Sequence, residues 1–158
     1  MKKPAMSVPI YQGPLKAHLG FWLRFVSNHV SGAFRQKLAQ HGVSVAEWAL
    51  MRELSEQGAI APSQLAVHLG MTRGGITKIA DKLVARSLVK RTSNDADLRG
   101  QMLDLSASGR RLIPVLSALA DENEREFFGH LPRERVKEMA EFMRDLVEHH
   151  HLHGVPLE

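Results

Sequence analysis

The stretch from Ala61 to Leu105 leaves this chain few folds to choose from. It reads as two short helices joined by a tight turn, followed by two strand-like runs. Pro62 stands where a first-turn proline is harmless, Leu65, Ala66 and Leu69 recur at helical spacing, and Gly70 suits the left-handed residue that ends such a helix. A second helix opens at Thr72, whose hydroxyl can accept from an unsatisfied backbone N–H. Its Ile76, Ile79, Ala80 and Leu83 repeat at i, i+3, i+4 and i+7. Burying that stripe turns Arg73, Gly74, Thr77, Lys78, Asp81 and Lys82 outward, with Gly74 and Gly75 offering bare backbone near the helix start. The runs Leu88 to Thr92 and Gln101 to Leu105 then flank a polar loop, Ser93 to Gly100, that carries Arg99. Helix-turn-helix plus hairpin is the pattern of a winged helix, and an outward face of this composition suits a DNA groove.

Charge is concentrated in the same place. Residues 72–101 hold seven Lys/Arg against three acids, whereas residues 102–158 hold seven against eleven. At 158 residues and 44% hydrophobic, the chain can bury one good core. It contains no cysteine, which excludes disulfides, thiolate zinc sites and thiol redox sensing by this chain. The start, Met1 to Pro9, has two prolines and no apolar run, so neither a signal peptide nor a membrane span is expected there, and the expected location is cytoplasmic.

Taken in order, Met1 to Pro14 reads as an irregular arm. Leu15 to about Gln40 reads as one long helix with two apolar stripes, Leu15/Leu19/Trp22/Val26/Val30 and Phe21/Phe25, which needs cover from two sides. Ser44-Val-Ala-Glu47 is a capping box, with Val43 and Trp48 placed to staple across it. That helix carries Met51 and Leu54 and stops at Gly58, and Ile60 is placed to add a short third strand to the wing. After the wing, Ser106 starts a second long helix through about Gly129, with Leu112, Val115, Leu116, Leu119, Ala120, Asn123 and Phe127 expected inward and a kink expected at Pro114. A last helix begins near Pro132, and its Val136, Met139, Met143 and Leu146 form a heptad-like seam. The helices outside the winged unit are too long for that unit to cover, which implies a dimer.

These residues closely resemble the multiple-antibiotic-resistance regulator (MarR) family of bacterial transcription factors. The likeness runs from about Leu15 to Val147. It is most specific in the turn Leu69-Gly70-Met71-Thr72-Arg73 and in the wing, where Asp97-Leu98-Arg99 matches the family's Asp-x-Arg motif and Leu105-Ser106 stands for its Leu-Thr. Ala61 departs from the pattern, since many relatives place a hydroxyl residue there as helix cap. The resemblance implies a homodimer made by the first and last two helices. It also implies that Asp97 holds the wing by pairing with a nearby arginine, and that small effectors bind between the dimer helices and the winged unit. Trp22, Trp48 and Met51 are candidates to line such a pocket, although their plain reading is core.

The expected fold is therefore mainly α with a small β-hairpin wing. The winged helix-turn-helix covers residues 43–105, a helical dimerisation region covers 15–42 and 106–150, the N-terminal arm is 1–14 and a tail follows from 151 to 158. The expected function is a sequence-specific transcriptional regulator, a repressor released by a small-molecule effector, that binds pseudo-palindromic double-stranded DNA as a homodimer. Thr72 and Gly75 would meet phosphate or backbone, Arg73, Thr77 and Lys78 would reach base edges, Lys82 would lie on the same face, and Arg99 would enter the flanking minor groove. Half-sites would lie about one helical turn, roughly 10 bp, apart. Two other readings stay open: a winged-helix protein-interaction module without DNA binding, and a metal-responsive regulator using the C-terminal histidines, of which His149 and His153 would share a face. No cofactor, metal site or catalytic set is expected. Gly70 and Gly75 have a phosphate-loop spacing, but Ile76 and Thr77 occupy the positions that require Lys and Ser/Thr, and no His-Glu-x-x-His or Gly-x-Ser-x-Gly occurs.

Overall fold

The computed structural model describes residues 13–94 and 97–152, and for residues 94 and 97–99 the description is of the backbone alone. A short 3-10 turn, Leu15–Ala17, precedes six helices and a hairpin: α1 (Leu19–Ala39), α2 (Val45–Gln57), α3 (Pro62–His68), α4 (Arg73–Ala85), β1 (Val89–Asn94), β2 (Asp97–Leu105), α5 (Ala107–Phe128) and α6 (Arg133–His149).

The expected single helix from Leu15 is broken at His18, which is extended at φ −84°, ψ 128°. The break frees the Lys16 carbonyl, which a continuous helix would give to the amide of Gly20. The Trp22 indole N–H donates to that carbonyl at 2.8 Å instead. The aromatic ring thus stabilises the interruption that the helical spacing of Leu15 and Leu19 conceals.

Local signals elsewhere produce the elements they imply. Ser44 Oγ accepts from the Glu47 amide at 3.1 Å while the Glu47 carboxylate accepts from the Ser44 amide at 2.8 Å, which closes the capping box at the start of α2. Val43 is buried beside Trp48. The α3 helix starts at Pro62 with no side-chain cap from Ala61. Gly70, at φ +62°, then turns the chain into α4 without the steric cost a Cβ would carry. The hairpin is antiparallel, with Val89 opposite Leu105 and Arg91 opposite Leu103. Ile60 adds the third strand as one bridge, exchanging both backbone hydrogen bonds with Leu103 at 3.0 and 2.9 Å.

The main core lies inside the winged unit. Leu50, Met51, Leu54, Leu65, Ile76 and Leu83 are all fully buried there, joined by Leu103 and Leu105 from the hairpin. The start of α5 is locked to this core. Ser106 Oγ accepts from the Gly109 amide at 3.0 Å and donates to the Ser87 carbonyl at 2.6 Å. A Cβ on Gly109 would stand 2.1 Å from the Leu88 carbonyl oxygen, so only glycine permits this crossing. That contact sets the inward face of α5: Gly109, Ile113, Leu116 and Asn123 are buried, whereas Val115, expected inward, is exposed. Pro114 lies within α5 and withholds one backbone donor from its ladder.

The remaining helices are less enclosed. Leu38, Val43 and Leu116 form a small second core. Asn123 Nδ2 donates to the Val30 carbonyl at 3.1 Å, and Lys37 pairs with Glu126 at 2.6 Å, which fasten α1 to α5. No residue of α6 is buried. Met139, Phe142, Met143 and Val147 are exposed on it, as are Leu19, Trp22, Phe25 and Val26 on α1. No helix among the described residues is long and apolar enough to cross a membrane.

Candidate nucleic-acid interface

The α4 helix positions the candidate site. Ile76, Ala80 and Leu83 are buried against the winged core, so the opposite face of the helix is fixed in orientation and open. Thr72 caps it, its Oγ1 accepting from the Gly75 amide at 3.1 Å. Arg73, Gly74, Thr77, Lys78, Asp81 and Lys82 are all exposed.

The basic residues of this region divide into two groups. Arg86 donates to the Gly42 carbonyl at 2.7 Å and lies 3.6 Å from the Glu47 carboxylate, tying the end of α4 to α2. Lys90 lies 3.6 Å from Asp104, which also receives Arg110 at 2.7 Å. Arg91 donates to both Asp81 and Gln101. By contrast, Arg73, Lys78 and Lys82 form no ion pair among the described residues. An unneutralised ammonium or guanidinium on a rigid helix face has its donors available to an external anion.

The Thr77 hydroxyl donates to the Arg73 carbonyl at 3.0 Å, which leaves the side chain an acceptor and a methyl group rather than a free donor. The Gly75 amide is committed to Thr72, and a Cβ there would stand 3.2 Å from Thr72 Oγ1, a tight contact on the cap. A Cβ on Gly74 would meet nothing within 4 Å. The side chains of Asp97 and Arg99 lie outside the described residues, as does His153. Asp81 and Arg91, which sequence patterning placed on separate elements without a link, meet across α4 and β1.

The structure does not gather the three candidate effector contacts into one pocket. Met51 is fully buried in the winged core and has no surface to offer a ligand. Trp48 is half-buried, edge-on to Phe34 at a centroid distance of 6.3 Å. Trp22 lies apart from both, in an apolar groove of about 550 Å³ between α1 and α6 that Val26, Phe128, Met139 and Met143 also line. Among the described residues no group of three or more His, Asp or Glu side chains is placed to hold a metal ion.

The model of the MarR family matches residues 41–100, the segment that contains α2 through most of the hairpin. The HTH-type transcriptional regulator PrsX of Escherichia coli is 24% identical over 139 residues, covering 86% of this chain and 84% of PrsX. The crystal structure of CouR from Rhodococcus jostii RHA1 bound to p-coumaroyl-CoA superposes with a TM-score of 0.75 at 26% identity, over 84% of this chain and 94% of CouR. A mutant of MarR from E. coli complexed with operator DNA has the same fold, with a TM-score of 0.74 at 20% identity over 82% of this chain and 93% of that one. The MarR family model thus matches the winged unit, and the architecture shared with these structures extends over both flanking helical segments.

Proposed function

We propose that this chain is a cytoplasmic, non-enzymatic transcriptional regulator that binds double-stranded DNA sequence-specifically as a homodimer and represses until a small-molecule effector binds. The observation that carries the reading is the open α4 face, where Arg73, Lys78 and Lys82 have no counter-ion among the described residues while the other basic side chains with a described position nearby are paired. Under this reading the winged unit, residues 43–105, meets DNA, and residues 15–42 and 106–150 pair two copies. The exposed apolar faces of α1 and α6 support the pairing, since surface of that kind is covered in stable proteins. Two-fold symmetry then places one α4 per subunit in successive major grooves, with half-sites about one helical turn, roughly 10 bp, apart. The effector part rests on the groove beside Trp22, which pairing of two copies through this surface would wall rather than fill. An effector acts there by binding one spacing of the two winged units more tightly than the other, which shifts the population between them.

Within the DNA face, Lys78 reads base acceptors in the major groove, whereas Arg99 follows the narrow groove and responds mainly to its negative potential. Binding isotherms on a duplex selected from a random pool by the wild-type protein, and on a scrambled duplex, each at several salt concentrations, test the assignment. Lys78→Ala is expected to cost about 1–3 kcal/mol on the selected duplex and much less on the scrambled one. Arg99→Ala is expected to weaken both and to lower the salt slope by about one per contacting subunit. Equal losses from Lys78→Ala on both duplexes make it a phosphate contact. Wild-type binding that does not weaken as salt rises removes the DNA reading and favours a protein-interaction module.

A further inference from the structure

The acid on the open face of α4 is held in an arrangement that its neighbours are not. Asp81 lies one turn past Lys78 and accepts from Arg91 Nη2 across the gap between α4 and β1. The same guanidinium donates through Nη1 to Gln101 Oε1 at 3.1 Å on β2. One side chain therefore fastens three elements: the helix with the open cationic face and both strands of the hairpin. The Arg91–Asp81 ion pair lies at the surface, with the Asp81 side chain 61% and that of Arg91 31% exposed, so the pair is a weak contributor to folding stability. Its geometric consequence is larger than its energetic one. A planar, two-armed donor fixes direction as well as distance, and the direction fixed here is that of the hairpin relative to α4.

We propose that Arg91, held between Asp81 and Gln101, is a positioning residue for DNA recognition, setting the angle between the wing and α4 so that both engage their grooves in one register. The inference rests on the proposed DNA-binding function. Asp81 has a second effect in the same place. Left unpaired, its carboxylate would repel a phosphate backbone approaching Lys78 and Lys82, and the Arg91 charge offsets it locally. A misaligned wing costs most where both grooves must be met in register. It costs least on DNA of arbitrary sequence, where either element can bind phosphate alone.

The test uses the full-length chain, the duplex selected from a random pool by the wild-type protein, and its scrambled counterpart. Asp81→Asn removes the anchor and a negative charge. It is expected to lower affinity for the selected duplex about tenfold while leaving or raising affinity for the scrambled one, so that the ratio between the two collapses. Arg91→Lys keeps the charge but cannot hold both partners at once, and the same loss of ratio is expected with the salt slope unchanged. Melting curves of both variants, expected to lie close to wild type, separate misalignment from unfolding. Three results overturn the proposal: Asp81→Asn tightening both duplexes equally, which makes Asp81 a simple repulsive charge; Arg91→Lys binding like wild type while Arg91→Gln lowers the salt slope by about one, which makes Arg91 a direct phosphate contact; or a ratio unchanged in every variant. Failure of the DNA-binding function itself is distinguishable, because the wild-type protein then shows no salt-dependent binding to either duplex.

Discussion

The winged unit and the α1/α6 pair solve opposite problems with the same kinds of residue. In the winged unit Leu50, Leu54, Leu65, Ile76, Leu83 and Leu103 close on one another until none retains accessible surface. In the helical pair, Trp22, Phe25 and Val26 on α1 and Met139, Phe142 and Met143 on α6 remain between 38% and 48% exposed. The first region is complete within one chain, and its stability is set by its own packing. The second presents an apolar surface that folding of one chain does not cover, so its order is tied to what binds it. If the occupant is a second copy, stability of that region depends on protein concentration, whereas that of the winged core does not.

The largest expected effect strikes the enclosed side of this comparison. Leu83→Ala removes a fully buried side chain from the core that α4 rests on and leaves a cavity, at an expected cost of about 2–5 kcal/mol. Urea unfolding should report the same loss at low and high protein concentration. A loss that vanishes on raising the concentration would mean that this core, too, is completed by association.

The open side should behave differently. Placing charge in the seam, with Met139→Glu and Met143→Glu together, forfeits burial of two side chains per subunit and is expected to weaken dimerisation by about a hundredfold or more, on the order of 3 kcal/mol. Sedimentation at micromolar concentration should then show a folded monomer where the wild type is expected to be a dimer, with the winged unit intact by circular dichroism. A wild-type protein that is itself monomeric under these conditions would remove the basis for palindromic sites.

How much of this was legible in the sequence follows the range of the interactions involved. The capping box at Ser44 and Glu47, the Thr72 cap and the left-handed Gly70 act over three or four residues, and each stands where its local pattern put it. Ile60 was legible because its partner strand was. The break at His18 was not, since an indole reaching back six residues to Lys16 leaves no periodic trace. The inward face of α5 was misplaced at Val115 because it is fixed by the approach of Gly109 to Leu88, a contact between elements rather than a stripe. The same holds for the site. Exposure of Arg73, Lys78 and Lys82 follows from the helical period. Which neighbouring cations are neutralised depends on the Lys90–Asp104 pairing, which exists only once β1 and β2 are in register, and on the Asp81–Arg91 pairing, which exists only once the hairpin is folded against α4.

The smallest expected effect divides two adjacent glycines and bears on how closely the open face is approached. At position 75 an added Cβ would press on Thr72 Oγ1 at 3.2 Å and on Met71 Cε at 3.4 Å, disturbing the cap that starts α4. At position 74 it would meet nothing. Folding alone therefore does not require glycine at 74, and alanine there should stabilise the helix by up to about 1 kcal/mol, since glycine loses more backbone freedom on becoming helical. In a domain of this size that raises the melting temperature by about 2–4 °C. If DNA comes close to the α4 backbone at this point, the same methyl group obstructs it, and affinity for the selected duplex should fall even as the protein becomes more stable. Gly75→Ala should instead lower stability and affinity together. Thermal melts and binding isotherms on the two variants decide the matter. Gly74→Ala binding as tightly as wild type would mean that DNA contacts α4 through its side chains alone, with the backbone of its first turn held clear.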